Sequence, residues 1–101
     1  MGKKKLPLIY NPTAGALKRD AGKIERLTRS LDRQGIAARL LPTTCVGDAT
    51  RLAAQSVNDG AETVIVCGGD GTINEAAQSL VETETALAVW PCGTANVLAR
   101  E

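Results

Sequence analysis

Four short apolar runs recur along the chain, and each is bounded by residues that form turns. They cover residues 6–10, 36–41, 63–67 and 86–90. Nearly continuous apolar runs of this length are typical of strands that are buried on both faces of a parallel sheet, whereas a strand with one solvent-facing side alternates apolar and polar residues. The pattern therefore predicts four strands of a parallel sheet.

Three segments with helical spacing lie between these runs. The predicted helices cover residues 17–34, 48–58 and 72–82, and the first is followed by Gly35, a residue type that commonly ends helices. The alternation of strands and helices predicts the α/β class. We expect a three-layer sandwich on a parallel, doubly wound, Rossmann-like sheet with right-handed crossovers, with the strand order left open. Residues 94–101 have the pattern of a further helix.

The composition of the 101-residue chain excludes several classes of function. Its 12 Lys and Arg residues balance 11 Asp and Glu residues, so there is no strong field for a polyanion, and the lack of Phe removes the stacking surfaces of many single-strand nucleic-acid binders. No histidine can act as a base or metal ligand, and the three cysteines show no CxxC spacing. No apolar run has the ~18 residues of a membrane span, and none fits a signal peptide. These features predict a cytoplasmic protein that binds no nucleic acid and has no transmembrane segment.

The third apolar run leads directly into a glycine-rich turn and then a helix. Gly68, Gly69 and Gly71 can adopt positive φ angles and let a ligand approach the backbone closely. The unpaired amides at the start of the following helix would form a phosphate site. A purely structural interpretation also exists, because Thr72 and Glu75 have the spacing of a helix-capping box.

The residue types in the glycine-rich turn exclude some classes of phosphate ligand. The turn has no Gly-Lys-Ser/Thr ending, which excludes a P-loop, and Asn74 stands where a dinucleotide fingerprint has glycine. Asp70 would repel a phosphate unless a cation intervenes or its carboxylate faces a hydroxyl group. The turn therefore favours a magnesium–nucleotide complex and phosphoryl transfer, with Asp70 orienting the metal or the nucleotide.

Polar turns follow the other predicted strands as well. They cover residues 11–15 after the first strand, 42–44 after the second and 91–96 after the fourth. Each of these turns could be an ordinary loop. In a parallel sheet, however, the carboxyl ends of all strands share one edge, where open α/β folds bind ligands. We therefore expect the turns to converge on one site.

These segments together resemble a known family. NPTAG (11–15), T-x-x-x-GDA (43–49), GGDGTINE (68–75) and PCGTAN (91–96), in this order, are similar to motifs of the diacylglycerol kinase catalytic-domain family, in particular its bacterial lipid kinases. The resemblance extends from residue 6 to residue 101. GGDGT by itself is shared with NAD kinases and, in a variant form, with phosphofructokinases, so the combination carries the specificity.

The resemblance implies a set of site residues. Thr44 could substitute for its neighbour Thr43, and Val97 stands where the family usually has Asp. Family members carry their magnesium ligands and catalytic acid or base in a second, β-rich domain, so no catalytic residue and no metal ligand is expected within this chain. The positions that match the ATP contacts of the family are Asn11, Pro12, Thr13, Ala14, Gly15, Thr43, Gly69, Asp70, Gly71, Thr72, Ile73, Asn74, Glu75 and Thr94.

The resemblance also implies a function and its cofactors. We expect residues 1–101 to be the N-terminal nucleotide-binding domain of a kinase that uses ATP and Mg²⁺ to phosphorylate a lipid hydroxyl group, with the lipid bound by the second domain. Peripheral contact with a membrane and the identity of the lipid are left open. The alternatives are an NAD-kinase-like enzyme with a soluble acceptor and a non-catalytic nucleotide-binding module. Residues 1–101 alone are expected to bind nucleotide weakly, to show no turnover and to self-associate through an uncovered edge.

Overall fold

The computed structural model describes residues 4–20 and 22–91 of the chain. Four strands alternate with helices, as the apolar runs predict. In chain order the elements are β1 (Lys4–Tyr10), α1 (Gly15–Arg19), α2 (Lys23–Arg33), β2 (Ile36–Pro42), α3 (Asp48–Asn58), β3 (Thr63–Gly68), α4 (Asp70–Leu80) and β4 (Ala86–Pro91).

The four strands form one parallel sheet in the order β2-β1-β3-β4. Leu8 in β1 pairs with Ile65 in β3, and Tyr10 pairs with Cys67, so the first and third apolar runs are parallel neighbours. The predicted parallel, Rossmann-like sheet is confirmed, and the structure adds the strand order. Because the strands point the same way, the turns that follow β1, β2 and β3 lie at one edge of the sheet.

Each face of the sheet has its own apolar core. On one face, Leu17 of α1 and Leu27 and Leu31 of α2 pack against residues of β1 and β3. On the other face, α3 and α4 pack side by side against strand residues that include Val64 and Val66, both fully buried. These two layers of helices complete the sandwich. No helix within residues 4–20 and 22–91 is long and apolar enough to cross a membrane.

The predicted helix over residues 17–34 is wrong in one respect, because two helices occupy this stretch. Asp20 lies between them, and its Oδ1 accepts a hydrogen bond of 3.2 Å from the amide of Gly22, while its other oxygen pairs with Arg26. An aspartate side chain that bonds to the backbone two residues later stabilises a turn in place of a helix. The second helix ends before Gly35, which has a φ of 85° and confirms its predicted role.

The helix after the glycine-rich turn lies two residues earlier than the predicted 72–82. It begins at Asp70 because Gly69 is its N-cap, and it ends at Leu80 because Val81 is extended and Glu82 has a φ of 64°. The helix predicted over residues 48–58 is confirmed. The further helix predicted over residues 94–101 lies outside the described residues.

Candidate functional site

Three turns converge at the carboxyl edge of the sheet, as predicted, and enclose a pocket. The pocket has a volume of about 630 Å³. The turn after β1, the loop after β2 and the first turns of α4 each form part of its wall. The turn after β4 lies outside the described residues from position 92 onward, and Thr94 lies there too. The residues that line the pocket are Asn11, Thr13, Thr43, Thr44, Cys45, Val46, Gly71, Thr72 and Glu75.

The segment from residue 68 to residue 72, the glycine turn, achieves its shape without positive φ angles. Within residues 4–20 and 22–91, the glycines with positive φ lie at positions 35, 47 and 60, so the predicted use of positive φ in the glycine turn is wrong. Gly68 is needed for another reason: a methyl group placed on it would lie 3.0 Å from Cβ of Thr72. Nothing lies within 4 Å of a methyl group placed on Gly69 or Gly71. The turn therefore combines tight strand–helix packing at Gly68 with open space beyond it.

The start of α4 presents backbone amides at this open space. The amide of Ile73 donates to the carbonyl of Gly69 at 3.1 Å, the first hydrogen bond of the helical pattern. The amides of Asp70, Gly71 and Thr72 precede it and therefore have no carbonyl acceptor within the helix. No side chain caps this helix start, so the capping-box interpretation of Thr72 and Glu75 is wrong. The positive end of the helix dipole also lies here, which favours an anion.

The turn after β1 is fixed by its own asparagine. Oδ1 of Asn11 accepts hydrogen bonds from the amide and the hydroxyl group of Thr13, at 3.0 and 2.8 Å. The carbonyl of Asn11 also accepts from the amide of Ala14 at 3.0 Å. Among residues 4–20 and 22–91 the Asn11 carboxamide uses only its oxygen, so its NH₂ group can donate to a ligand. Asn11 and Thr13 line the pocket, whereas Pro12 lines a separate cleft beside α1.

The loop after β2, residues 43–47, is held at its beginning by a buried carboxylate. The amide and the hydroxyl group of Thr44 donate to Oδ2 of Asp48 at 2.7 and 2.6 Å, and the guanidinium group of Arg51 approaches Oδ1 at 3.3 Å. Asp48 is only 7% exposed. The Thr44 hydroxyl group, then the Thr44 amide and then Arg51 hold the pKa of Asp48 well below its usual value, because each favours the charged form. The amide of Thr43 donates to the carbonyl of Tyr10 at 2.8 Å, which joins the loop to β1.

The end of the same loop is joined to α4 by a second carboxylate. Oε2 of Glu75 accepts from the amide of Gly47 at 3.1 Å. Two further side chains connect α3 and α4: the hydroxyl group of Thr50 donates to the carbonyl of Glu75 at 2.9 Å, and that of Ser79 donates to the carbonyl of Thr50 at 2.7 Å. The polar contacts of Asp48, Thr50 and Ser79 were not predicted as parts of the site. A signal for the first was present in the spacing of Thr44 and Asp48 across a helix start.

The structure brings together only some of the residues that match the family contacts. Those at the pocket are Asn11, Thr13, Thr43, Gly71, Thr72 and Glu75. Gly69 and Asp70 are exposed at the start of α4, beside the pocket, and Asn74 is exposed one turn further along. Ile73 packs into the core between the sheet and the helices. Pro12, Ala14, Gly15, Ile73 and Asn74 do not line the pocket.

The acidic groups near the pocket do not form a complete metal site. Within residues 4–20 and 22–91, no group of three or more Asp, Glu, Cys or His residues is arranged to hold a metal ion. The carboxylates of Asp48 and Glu75 each accept a hydrogen bond from a loop amide. The carboxylate of Asp70, the first residue of α4, accepts none from any residue in 4–20 or 22–91. The arrangement can therefore offer donors for an anion and a single carboxylate for a cation bound with it.

Comparisons with known proteins agree with this architecture. A diacylglycerol kinase of Bacillus subtilis is 36% identical over 101 residues, which cover 96% of this chain and 32% of the relative. A diacylglycerol kinase of Staphylococcus saprophyticus is 34% identical over 102 residues, which cover 97% of this chain and 32% of the relative. A crystal structure described as a diacylglycerol kinase from Bacillus anthracis matches with a TM-score of 0.67 at 30% identity, covering 90% of this chain and 32% of that one. The chain thus spans about a third of the length of the relatives it matches.

The sequence model of one family matches almost the whole chain. It is described as the diacylglycerol kinase catalytic domain, and the match covers residues 5–101. This range includes every turn that forms the pocket, the glycine turn and both carboxylates that hold the β2–α3 loop. The chain therefore belongs to the diacylglycerol kinase catalytic domain family.

Proposed function

We propose that this chain is the nucleotide-binding part of a kinase that transfers the γ-phosphoryl group of ATP to the hydroxyl group of a lipid. The observation that carries the proposal is the pocket at the carboxyl edge of the sheet, which is lined by Gly71 and Thr72 in the first turn of α4. Its volume of about 630 Å³ is in the range of small-molecule sites.

The donors around the pocket suit the phosphates of a nucleotide. Backbone amides of Asp70, Gly71 and Thr72 point their N–H groups out of the first turn of α4. Thr43 contributes a hydroxyl group and Asn11 a carboxamide NH₂ group from the other walls. Because phosphate oxygens are acceptors only, a wall of donors at a helix start supports a phosphate ligand.

The residues present also fit a magnesium ion that arrives with the nucleotide. Mg²⁺ commonly binds through one or two carboxylates together with phosphate oxygens and water, so a full protein ligand set is not required. Asp70, exposed beside the pocket and without a hydrogen-bond donor among the described residues, would orient the ion or the nucleotide that carries it. The ion would neutralise charge on the transferred phosphoryl group, since this chemistry depends mainly on positioning and electrostatics.

The lipid acceptor and the second domain belong to the same proposal. The chain spans about a third of its relatives, which are named diacylglycerol kinases. We therefore place the acceptor pocket, the catalytic acid or base and further magnesium ligands in a second, β-rich domain. On its own, the chain would bind nucleotide weakly, because exposed amide–phosphate bonds compete with water and contribute only about 0.5–1.5 kcal/mol each.

Radiolabelled ATP and thin-layer chromatography test the proposal. The full-length natural protein is incubated with labelled ATP, Mg²⁺ and, in separate reactions, diacylglycerol, phosphatidylglycerol, a sphingoid base or NAD. We expect label in a lipid and none in NAD, and Asp70→Asn should lower the rate strongly while leaving the protein folded. Label in NAD and in no lipid would favour a kinase with a soluble acceptor. Nucleotide binding without transfer to any acceptor would favour a non-catalytic module.

A further inference from the structure

Two neighbouring threonines line the pocket, and they differ in what their hydroxyl groups can offer. The single hydroxyl hydrogen of Thr44 is donated to Oδ2 of Asp48 at 2.6 Å. Thr44 can therefore only accept a hydrogen bond from a ligand. The hydroxyl group of Thr43 has no hydrogen-bond partner among residues 4–20 and 22–91. A phosphate, which also only accepts, would find a donor in Thr43 and none in Thr44.

Asp48 is itself held firmly enough to fix its neighbour. Its Oδ2 accepts from both the amide and the hydroxyl group of Thr44, and its Oδ1 accepts from Nη2 and Nε of Arg51, at 3.3 and 3.4 Å. Both carboxylate oxygens are thus engaged in a residue that is only 7% exposed. This carboxylate has no capacity left for a ligand, so its effect on one must pass through Thr44.

We propose that Asp48 is a positioning residue of the nucleotide site: by holding Thr44, it selects the hydroxyl group of Thr43 as the donor to the nucleotide phosphates. The inference rests on the proposed nucleotide function of the pocket. The loop is also held at its far end, where Gly47 donates to Glu75. Cys45 and Val46 lie between the two held residues of the loop, Thr44 and Gly47, and both are exposed. A change in the surroundings of Cys45 would therefore indicate that the loop has moved.

The test compares four variants of the full-length natural protein: Thr43→Val, Thr44→Val, Thr44→Ser and Asp48→Asn. Mg-ATP affinity is measured by calorimetry. The position of the loop is measured by the rate at which iodoacetamide alkylates Cys45, followed on the Cys45 peptide by mass spectrometry. The alkylation rate matters because a residue that only stabilises the fold would not change it under conditions where the variant is fully folded.

We expect Thr43→Val to weaken Mg-ATP binding about tenfold, as the loss of one hydrogen bond to a charged group does, with the Cys45 rate unchanged. Asp48→Asn and Thr44→Val should both weaken Mg-ATP binding and change the rate of Cys45 alkylation, because the exposed thiol would move with the loop. Thr44→Ser keeps the hydroxyl group that donates to Asp48, so its Mg-ATP affinity and its Cys45 alkylation rate should match those of the unsubstituted protein. If Asp48→Asn does not fold, the Thr44→Val and Thr44→Ser pair makes the same comparison.

Three results would overturn the inference or part of it. Asp48→Asn with unchanged affinity and unchanged Cys45 rate would show that Asp48 does not position the loop. Thr44→Val that weakens binding as much as Thr43→Val, without any change at Cys45, would make Thr44 the direct donor. If the unsubstituted protein fails to bind Mg-ATP, the proposed function and the role of Thr43 both fail, whereas the Cys45 rates still decide whether Asp48 holds the loop.

Discussion

The glycine turn and the β2–α3 loop form two walls of one pocket, but they are built by different means. The glycine turn is shaped by the backbone, with Gly68 packed against Thr72 and no side chain capping α4. The β2–α3 loop is shaped by side chains, since Asp48 and Glu75 each accept a hydrogen bond from a loop amide. The first wall therefore depends on the absence of side-chain atoms, and the second depends on the presence of charged ones.

The largest effect is expected where the glycine turn is tightest. Gly68→Ala places a methyl group 3.0 Å from Cβ of Thr72, which the helix backbone holds in place. Overpacking of this kind should lower the free energy of unfolding by about 1–3 kcal/mol, measured by urea denaturation. Gly71→Ala is the matched control, because nothing lies within 4 Å of its added methyl group. Equal destabilisation by both variants would show that close packing is not what requires Gly68.

The next effect is the contribution of Asp48, which holds the β2–α3 loop, to the free energy of unfolding. This contribution depends on pH. Hydrogen bonds from Thr44 and Arg51 lower the pKa of Asp48 in the folded chain, so the folded state binds this proton less readily than the unfolded chain does. The stabilisation is therefore present above the unfolded pKa of about 3.9 and is lost as the pH falls below it. Asp48→Asn should be less stable than the unsubstituted chain at pH 7, and the difference should shrink towards pH 2.

Urea denaturation at several pH values measures this difference. Asp59→Asn serves as the control, since the one ion pair of its carboxylate with a described residue is an exposed pair with Arg39 at 3.7 Å. Such surface pairs contribute about 0–1 kcal/mol, so this variant should change little at pH 7. A stability difference for Asp48→Asn that stayed constant from pH 7 to pH 2 would contradict the expected linkage.

A smaller effect is expected at the far end of the β2–α3 loop. Glu75→Ala removes the acceptor of the Gly47 amide and should cost about 0.5–1.5 kcal/mol in the free energy of unfolding. Glu75→Gln keeps an oxygen acceptor and should be close to the unsubstituted chain in the same measurement. If the glutamine variant were destabilised as much as the alanine variant, the charge of Glu75 and not its hydrogen bond would hold the loop.

The smallest expected effect on stability is an increase, and it comes from a substitution in the glycine turn. Gly71 lies in the first turn of α4 with a negative φ, so Gly71→Ala should raise stability by about 0.5–1 kcal/mol through helix propensity. The same methyl group would stand in the pocket that Gly71 lines, and Mg-ATP affinity measured by calorimetry should fall. A variant that is more stable and binds Mg-ATP as before would indicate that the ligand does not approach this glycine.

The sequence by itself determined the class of fold and the edge of the sheet at which the pocket lies. Continuous apolar runs identified the strands of a parallel sheet, and α3 was predicted at residues 48–58, where the structure has it. These features follow from burial and periodicity, which are local properties of the chain. The combination of four motifs in this order likewise indicated the family, which the family match over residues 5–101 confirms.

The tertiary structure alone decided which polar groups are available and which are already used. Thr72 and Glu75 have capping-box spacing, yet Glu75 bonds to Gly47, 28 residues away in the chain. Thr43 and Thr44 both follow β2, and only the structure shows that the Thr44 hydroxyl group already donates to Asp48. A donor forms its hydrogen bond with the acceptor that the fold brings within about 3 Å. The Gly47 amide reaches Glu75 because α3 packs against α4.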